Sequence, residues 1–193
     1  TFTSNPSYFL NAHFLNPAYL IPLVEVSPHG DTANHVVERF ITLLESIGKV
    51  PIKCKATPGY IVPRLQSLIM SEACRMVEQG VATADDIDRA VTLGLGIRFT
   101  TMGPIEFEDW GGLDILYYAN RYLTKELGER YKTPKIVDEQ MEKGNLGLKT
   151  GKGMYDFSKV DVDDYRTRKL ATFVELLTYL DLMPKPIGEH KLV

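Results

Sequence analysis

Cysteine is scarce in this chain. Cys54 and Cys74 are the only two in 193 residues, too few for a disulfide framework and lacking the short-spaced histidines that would complete a zinc site. A reduced, cytoplasmic setting is expected. Histidine is scarce as well: the four are His13, His29, His35 and His190, with no H-x-x-x-H spacing among them, so no metal is expected. No apolar run approaches the roughly 20 residues a membrane-spanning helix needs, and membrane contact is not expected. Positive charge is not in excess either. The 22 Lys plus Arg against 25 Asp plus Glu leave a net charge of -3, with no broad basic field to hold a phosphate backbone, which argues against nucleic acid as a partner. Two nucleotide signatures are also missing. Gly94-Leu95-Gly96 runs into Ile97-Arg98-Phe99, so no G-x-G-x-x-G forms, and the lysine-bearing glycine loop near residue 150 fails the G-x-x-x-x-G-K-[ST] spacing. None of Ser4, Ser7 and Ser27 sits in a nucleophile elbow.

What is present is ordinary globular composition, 44% hydrophobic and 24% charged, in a chain long enough to bury roughly 70% of its surface on folding. Tyr8 to Phe14 and Leu20 to Val26 read as strands split by the turn-favouring pair Asn16-Pro17. Asp31 is placed to cap a helix from about Thr32 to Ile47, where apolar residues recur at helical spacing before Gly48. Val50 to Cys54 reads as a third strand. Helical patterning takes over near Thr57-Pro58-Gly59. Leu65, Leu68, Ile69, Ala73, Met76 and Val77 share one face of a helix ending at Gly80, and a shorter helix follows from Thr83. Gly111-Gly112 divides or bends an apolar stretch between Phe107 and Leu127. Pro134 to Lys143 and Asp163 to Leu180 are further helices. The opening Thr1-Phe2-Thr3-Ser4-Asn5 reads like the middle of a domain, which suggests that an N-terminal part is missing.

The strongest chemical signal is Asn11-Ala12-His13-Phe14-Leu15-Asn16-Pro17 followed by Pro22-Leu23-Val24-Glu25-Val26. An antiparallel pairing across the connection sets His13 beside Glu25. A carboxylate on one imidazole nitrogen fixes the tautomer and leaves the other nitrogen free to take a proton. Asn16, just past the strand end, could donate to a carbonyl or alkoxide oxygen. A lone histidine near a strand end is also an ordinary structural residue, and spacing leaves that reading open. His29, His35 and His190 are expected at the surface. The loop Gly147-Leu148-Lys149-Thr150-Gly151-Lys152-Gly153 offers cations among glycines, suited either to phosphate or to plain loop structure. Glu106, Glu108 and Asp109 read as a solvated helix face or as charge favourable to a helix N-terminus. Trp110, Tyr117, Tyr118 and Tyr122 read as core or as a subunit contact.

Taken together, His13-Phe14-Leu15-Asn16-Pro17, Glu25, Thr57-Pro58-Gly59-Tyr60 and Lys149-Thr150-Gly151-Lys152-Gly153 resemble the L-3-hydroxyacyl-CoA dehydrogenase family, which includes 3-hydroxybutyryl-CoA dehydrogenases. The resemblance runs from about Phe9 to Phe157. It implies an α/β remnant, the end of a Rossmann-type NAD-binding domain, over residues 1–56. A mostly α-helical substrate and dimerisation domain, like the C-terminal domain of 6-phosphogluconate dehydrogenase, would follow over 57–193. It further implies His13 as general base, Glu25 as its orienting carboxylate, Asn16 near nicotinamide and substrate, and Lys149 reaching the NAD cofactor. The substrate would be an L-3-hydroxyacyl-CoA oxidised to the 3-oxoacyl-CoA, and the protein a homodimer.

Two departures stand out. The family has a longer stretch, with a substrate-contacting serine, between a Ser-Asn like Ser4-Asn5 and its catalytic histidine, which suggests a segment missing between Asn5 and Pro6. The family also commonly places Asn at the position of Pro63, where it meets substrate. Proline has no amide to offer. That leaves room for relatives acting on small non-CoA hydroxy acids of the carnitine or gulonate type. The competing class is a non-catalytic helical dimerisation module.

Overall fold

The computed structural model describes residues 3–184. The chain divides into two compact units, Thr1–Ala84 and Asp85–Val193. The first unit is built on a three-stranded sheet in the order β1 (Leu10–Phe14), β2 (Leu23–Pro28), β3 (Val50–Lys53). β1 and β2 are antiparallel, whereas β2 and β3 are parallel and joined through α1 (Asn34–Ser46). β1 starts later than the sequence suggests because Pro6 to Tyr8 form a 3-10 turn. β2 starts at Leu23 because the Leu20 and Ile21 amides are taken by the Pro17 carbonyl. The Asn16–Pro17 bond is cis.

Strand alternation sorts the two faces of this sheet. Val24 and Val26 of β2, with Leu10 and Ala12 of β1, face α1 and pack on Val37, Phe40, Ile41 and Leu44. The intervening residues Asn11, His13, Glu25 and Ser27 lie on the opposite face, paired Asn11 with Ser27 and His13 with Glu25. A slip of one residue would carry the valines out of the core, so the apolar contacts with α1 fix the register of the polar face. Asp31 does not cap α1. The helix begins after Ala33, whose side chain makes no cap, while Asp31 donates its backbone N–H to His29 Nδ1. A long helix, α2 (Val62–Glu78), completes the unit. Its apolar stripe is not buried: Leu65, Leu68, Ile69 and Val77 are all exposed.

The second unit is helical: α3 (Ala84–Ala90), a π-helical turn (Val91–Gly96), α4 (Ile97–Thr101), α5 (Pro104–Gly111), α6 (Leu113–Leu127), α7 (Lys135–Glu142) and α8 (Val162–Tyr179). Met102, Leu113, Val137, Leu148 and Phe157 are among its buried residues. The stretch after Phe107 divides into two helices at Gly112, whose φ of 111° suits glycine. A Cβ there would lie 2.6 Å from both the Lys149 ammonium and the Asp114 carboxylate.

The acidic cluster is not a solvated face. Asp109 is fully buried and accepts the Met154 amide on Oδ1 at 2.9 Å and the Tyr155 amide on Oδ2 at 2.7 Å, tying the glycine loop to α5. Glu106, in the first turn of α5, meets Lys169 Nζ at 2.6 Å and the Tyr165 hydroxyl at 2.5 Å. Trp110 and Tyr117 are half-buried, whereas Tyr118 and Tyr122 are exposed and so are not core.

The loop lies this close to α5 because neither Gly147 nor Gly153 has a side chain: a Cβ on Gly153 would overlap the Asp109 carboxylate, and one on Gly147 the Asp109 backbone. Gly153→Ala is therefore expected to destabilise the protein by about 1–3 kcal/mol, read as a lowered thermal midpoint. Gly94→Ala, which meets open space, should leave the midpoint unchanged or raise it.

Candidate active site

His13 and Glu25 are cross-strand partners on the polar face of the sheet. His13 Nδ1 lies 2.7 Å from Glu25 Oε2. The imidazole is about one third exposed while the Glu25 side chain is fully buried, so the pair has one end in the protein and one end open. The other carboxylate oxygen, Oε1, accepts the backbone N–H of Ile61 at 2.8 Å and of Val62 at 2.9 Å. These are among the first amides of α2, which lack partners within the helix and carry the positive end of its dipole. Burial by itself would raise the Glu25 carboxyl pKa. The Val62 amide, the His13 imidazole and the Ile61 amide outweigh burial and hold it below its ordinary value.

An ionised Glu25 can only accept, so Nδ1 of neutral His13 carries the proton and Nε2 keeps its lone pair. His13 and Asn16 line an open groove of about 550 Å³ whose other wall is α2, with Pro63, Gln66, Ser67 and Ser71. Asn16 is exposed near the start of the strand connection, two residues past β1. That connection is anchored by Lys49, whose ammonium donates to the carbonyls of Ala18 at 2.5 Å and Ile21 at 2.9 Å. Pro63 falls in the first turn of α2, where its missing N–H costs no helical hydrogen bond.

Lys149 lies in the second unit, its Nζ 2.5 Å from Asp114 Oδ1 near the start of α6. The ammonium lowers the Asp114 carboxyl pKa and is itself two-fifths exposed. His35 is exposed. His29 is half-buried, its Nε2 3.0 Å from the Pro6 carbonyl and its Nδ1 accepting the Asp31 amide, a structural tie. His190 lies outside the described residues. Cys54 and Cys74 are free. Burial and the nearby Glu25 charge push the Cys54 thiol pKa up, away from a reactive thiolate. The motifs that contain Asn11 and Tyr60 stand out in the sequence, but no role for these two side chains or for the two helix amides is visible there. Strand alternation alone could have placed Asn11 on the face of His13.

Residues 1–57 match the NAD binding domain of 3-hydroxyacyl-CoA dehydrogenase, and residues 59–157, which include α2 of the first unit, match its C-terminal domain. The chain belongs to the 3-hydroxyacyl-CoA dehydrogenase family. This is a family of oxidoreductases with an NAD-binding domain, and the short sheet followed by a mostly helical region is its architecture.

Among curated proteins, the chain is 30% identical over 178 residues to the 5-formyl-3-hydroxy-2-methylpyridine 4-carboxylate 5-dehydrogenase of Mesorhizobium japonicum, covering 90% of this chain and 58% of that protein. It is 38% identical over 155 residues to the 3-hydroxyadipyl-CoA dehydrogenase of Escherichia coli, covering 79% of this chain and 32% of that protein. A 3-hydroxyacyl-CoA dehydrogenase crystal structure from Archaeoglobus fulgidus superposes with a TM-score of 0.80 at 35% identity, over 93% of this chain and 62% of that one. The chain thus spans less than two thirds of the length of each of these relatives.

The folded-state pKa of Glu25 lies below its ordinary 4.5. Its stabilising contribution is therefore complete above that value and is lost as pH falls through the folded-state titration. Urea unfolding from about pH 6 down to about pH 3 should show this loss. Glu25→Gln is expected to cost about 1–3 kcal/mol at neutral pH and to flatten that pH dependence.

Proposed function

We propose that this chain carries the proton-transfer machinery of an NAD-dependent 3-hydroxyacyl-CoA dehydrogenase, with His13 as general base and Glu25 as its orienting partner. The observation that supports it is the 2.7 Å contact between an imidazole open to a groove and a buried carboxylate held ionised by two helix amides. In the oxidative direction, Nε2 of His13 takes the proton of the substrate's 3-hydroxyl as the carbinol carbon gives up its hydride. The imidazolium so formed is stabilised by Glu25 across the Nδ1–H bond. In the reverse direction His13 returns the proton to the new alkoxide. Asn16 is the donor assigned to the substrate or nicotinamide oxygen.

When bound, NAD supplies the hydride acceptor. The residues present fit only its reacting end, in the groove beside His13 and Asn16. A dinucleotide's pyrophosphate is ordinarily cradled by a glycine turn and helix N-terminus, and this sequence has no G-x-G-x-x-G. Lys149 enters the reading as the cofactor-side cation, its ammonium shared with Asp114 but still accessible.

The substrate is read as an acyl-CoA thioester. Pro63 in the groove wall favours a second reading, a small hydroxy acid without CoA, and one relative is named for a pyridine carboxylate. In the full-length gene product with NAD present, His13→Gln is expected to lower turnover of 3-hydroxybutyryl-CoA by about 10²-fold or more while His35→Gln leaves it unchanged. Equal activity in the two variants would remove His13 as base. Turnover of free hydroxy acids with none of the thioester would favour the second reading. A protein that dimerises but turns over neither substrate would be the helical assembly module.

The exposed stripe of α2, Leu65, Leu68, Ile69 and Val77, is the surface assigned to a homodimer. Sedimentation equilibrium should return twice the chain mass for the wild type and a lighter species for Leu68→Glu. A cytoplasmic location goes with the two free thiols.

A further inference from the structure

Glu25 holds His13 by one edge. A single hydrogen bond to Nδ1 sets the tautomer and direction of the ring but leaves it free to tilt about that bond. The structure places a second group against the face of the imidazole: Tyr60 stacks on it with ring centroids 5.8 Å apart and planes 21° from parallel. Tyr60 stands in an unusual backbone conformation to do so. Its φ is 43°, in the left-handed region that bulky side chains avoid, and among the described residues only Asp181 is another non-glycine there.

Several contacts hold Tyr60 in that conformation. Its own amide donates to the Thr57 carbonyl at 3.1 Å. The next two amides, Ile61 and Val62, are fixed on Glu25. Its hydroxyl accepts the Asn11 side-chain amide at 2.8 Å. Asn11 lies two residues before His13 on the same strand face. One short segment therefore braces the imidazole twice, through Glu25 at its edge and through Tyr60 on its face. A backbone outlier maintained by converging bonds beside a candidate base is where strain serves positioning.

We infer that Tyr60 is a positioning residue for His13, and that Asn11 locks Tyr60 by its hydroxyl. The Tyr60 face removes the tilt that Glu25 leaves, so Nε2 points steadily into the groove. The same aromatic face lies beside the ring that becomes positively charged when His13 takes a proton. This rests on the reading of His13 as base for its kinetic consequence, but the ordering of the ring can be measured without turnover.

The test uses the full chain with ¹³C-labelled histidine. Tyr60→Gly suits the left-handed turn, so it removes the aromatic ring without adding backbone strain. In that variant the His13 Cε1–H order parameter is expected to fall from a rigid value of roughly 0.85 to below about 0.6, while the Nδ1–H tautomer set by Glu25 persists. Turnover by the full-length gene product with NAD should drop about 10-fold with KM within about twofold, the pattern of a misaimed base. Tyr60→Phe and Asn11→Ala remove the same hydrogen bond. Each is expected to lower turnover by the same factor of about three, and the double variant by no more than either alone. An unchanged order parameter in Tyr60→Gly, or effects of Tyr60→Phe and Asn11→Ala that multiply, would overturn the proposal. A mobile ring in Tyr60→Gly together with full activity in His13→Gln would instead leave the positioning intact and overturn the base assignment.

Discussion

The first unit depends on compensating one buried charge. Glu25 has no solvent exposure, and an ionised carboxylate in that position is costly unless its oxygens are satisfied by charged or dipolar donors. Two helix amides satisfy one oxygen and the imidazole the other. The compensation has structural reach because it joins elements distant in the chain: β2, the start of α2 and the end of β1. The carboxylate can remain ionised only while the helix begins at Ile61 and Val62 and His13 remains opposite on the strand. Sheet register, helix start and imidazole tautomer are thus one coupled arrangement.

A similar device recurs in the second unit. Asp109 is as fully buried as Glu25 and also takes two successive backbone amides, those of Met154 and Tyr155. It fixes a loop where Glu25 fixes a helix start. Gly153 is needed so that the backbone can approach the carboxylate, and Leu148 and Phe157 bury the loop at either side. Lys149 projects from this held segment, which gives its ammonium a defined place beside Asp114. In both units a side chain that can bear charge is presented from backbone anchored by a buried carboxylate. Only Glu25 also contacts the group it presents.

Much of this was legible in the sequence because local chemistry carries it. The two strands, the crossover helix, the third strand and the run of helices follow from periodicity and from the Pro and Gly positions. The cross-strand partnership of His13 with Glu25 follows from pleat geometry once the connection between strands is recognised. The burial of Asp109 was not legible, since an acidic residue between Glu108 and Trp110 on a short helix has the pattern of a solvated turn. Asp31 failed as a cap because the helix starts two residues beyond its reach. The exposed stripe of α2 has the same period as a core-facing one, and periodicity cannot say what covers it.

By itself the sequence determined the alternation that separates the valines from His13 and Glu25, and the motifs that place the chain in its family, because both depend on residue order over short distances. Tertiary structure alone decided what satisfies the second oxygen of Glu25, what lies against the face of His13, and which acidic residue of the helical unit is inside. Each of those joins positions from 36 to 47 residues apart, and such contacts form only when the chain has folded back on itself to bring unlike elements together.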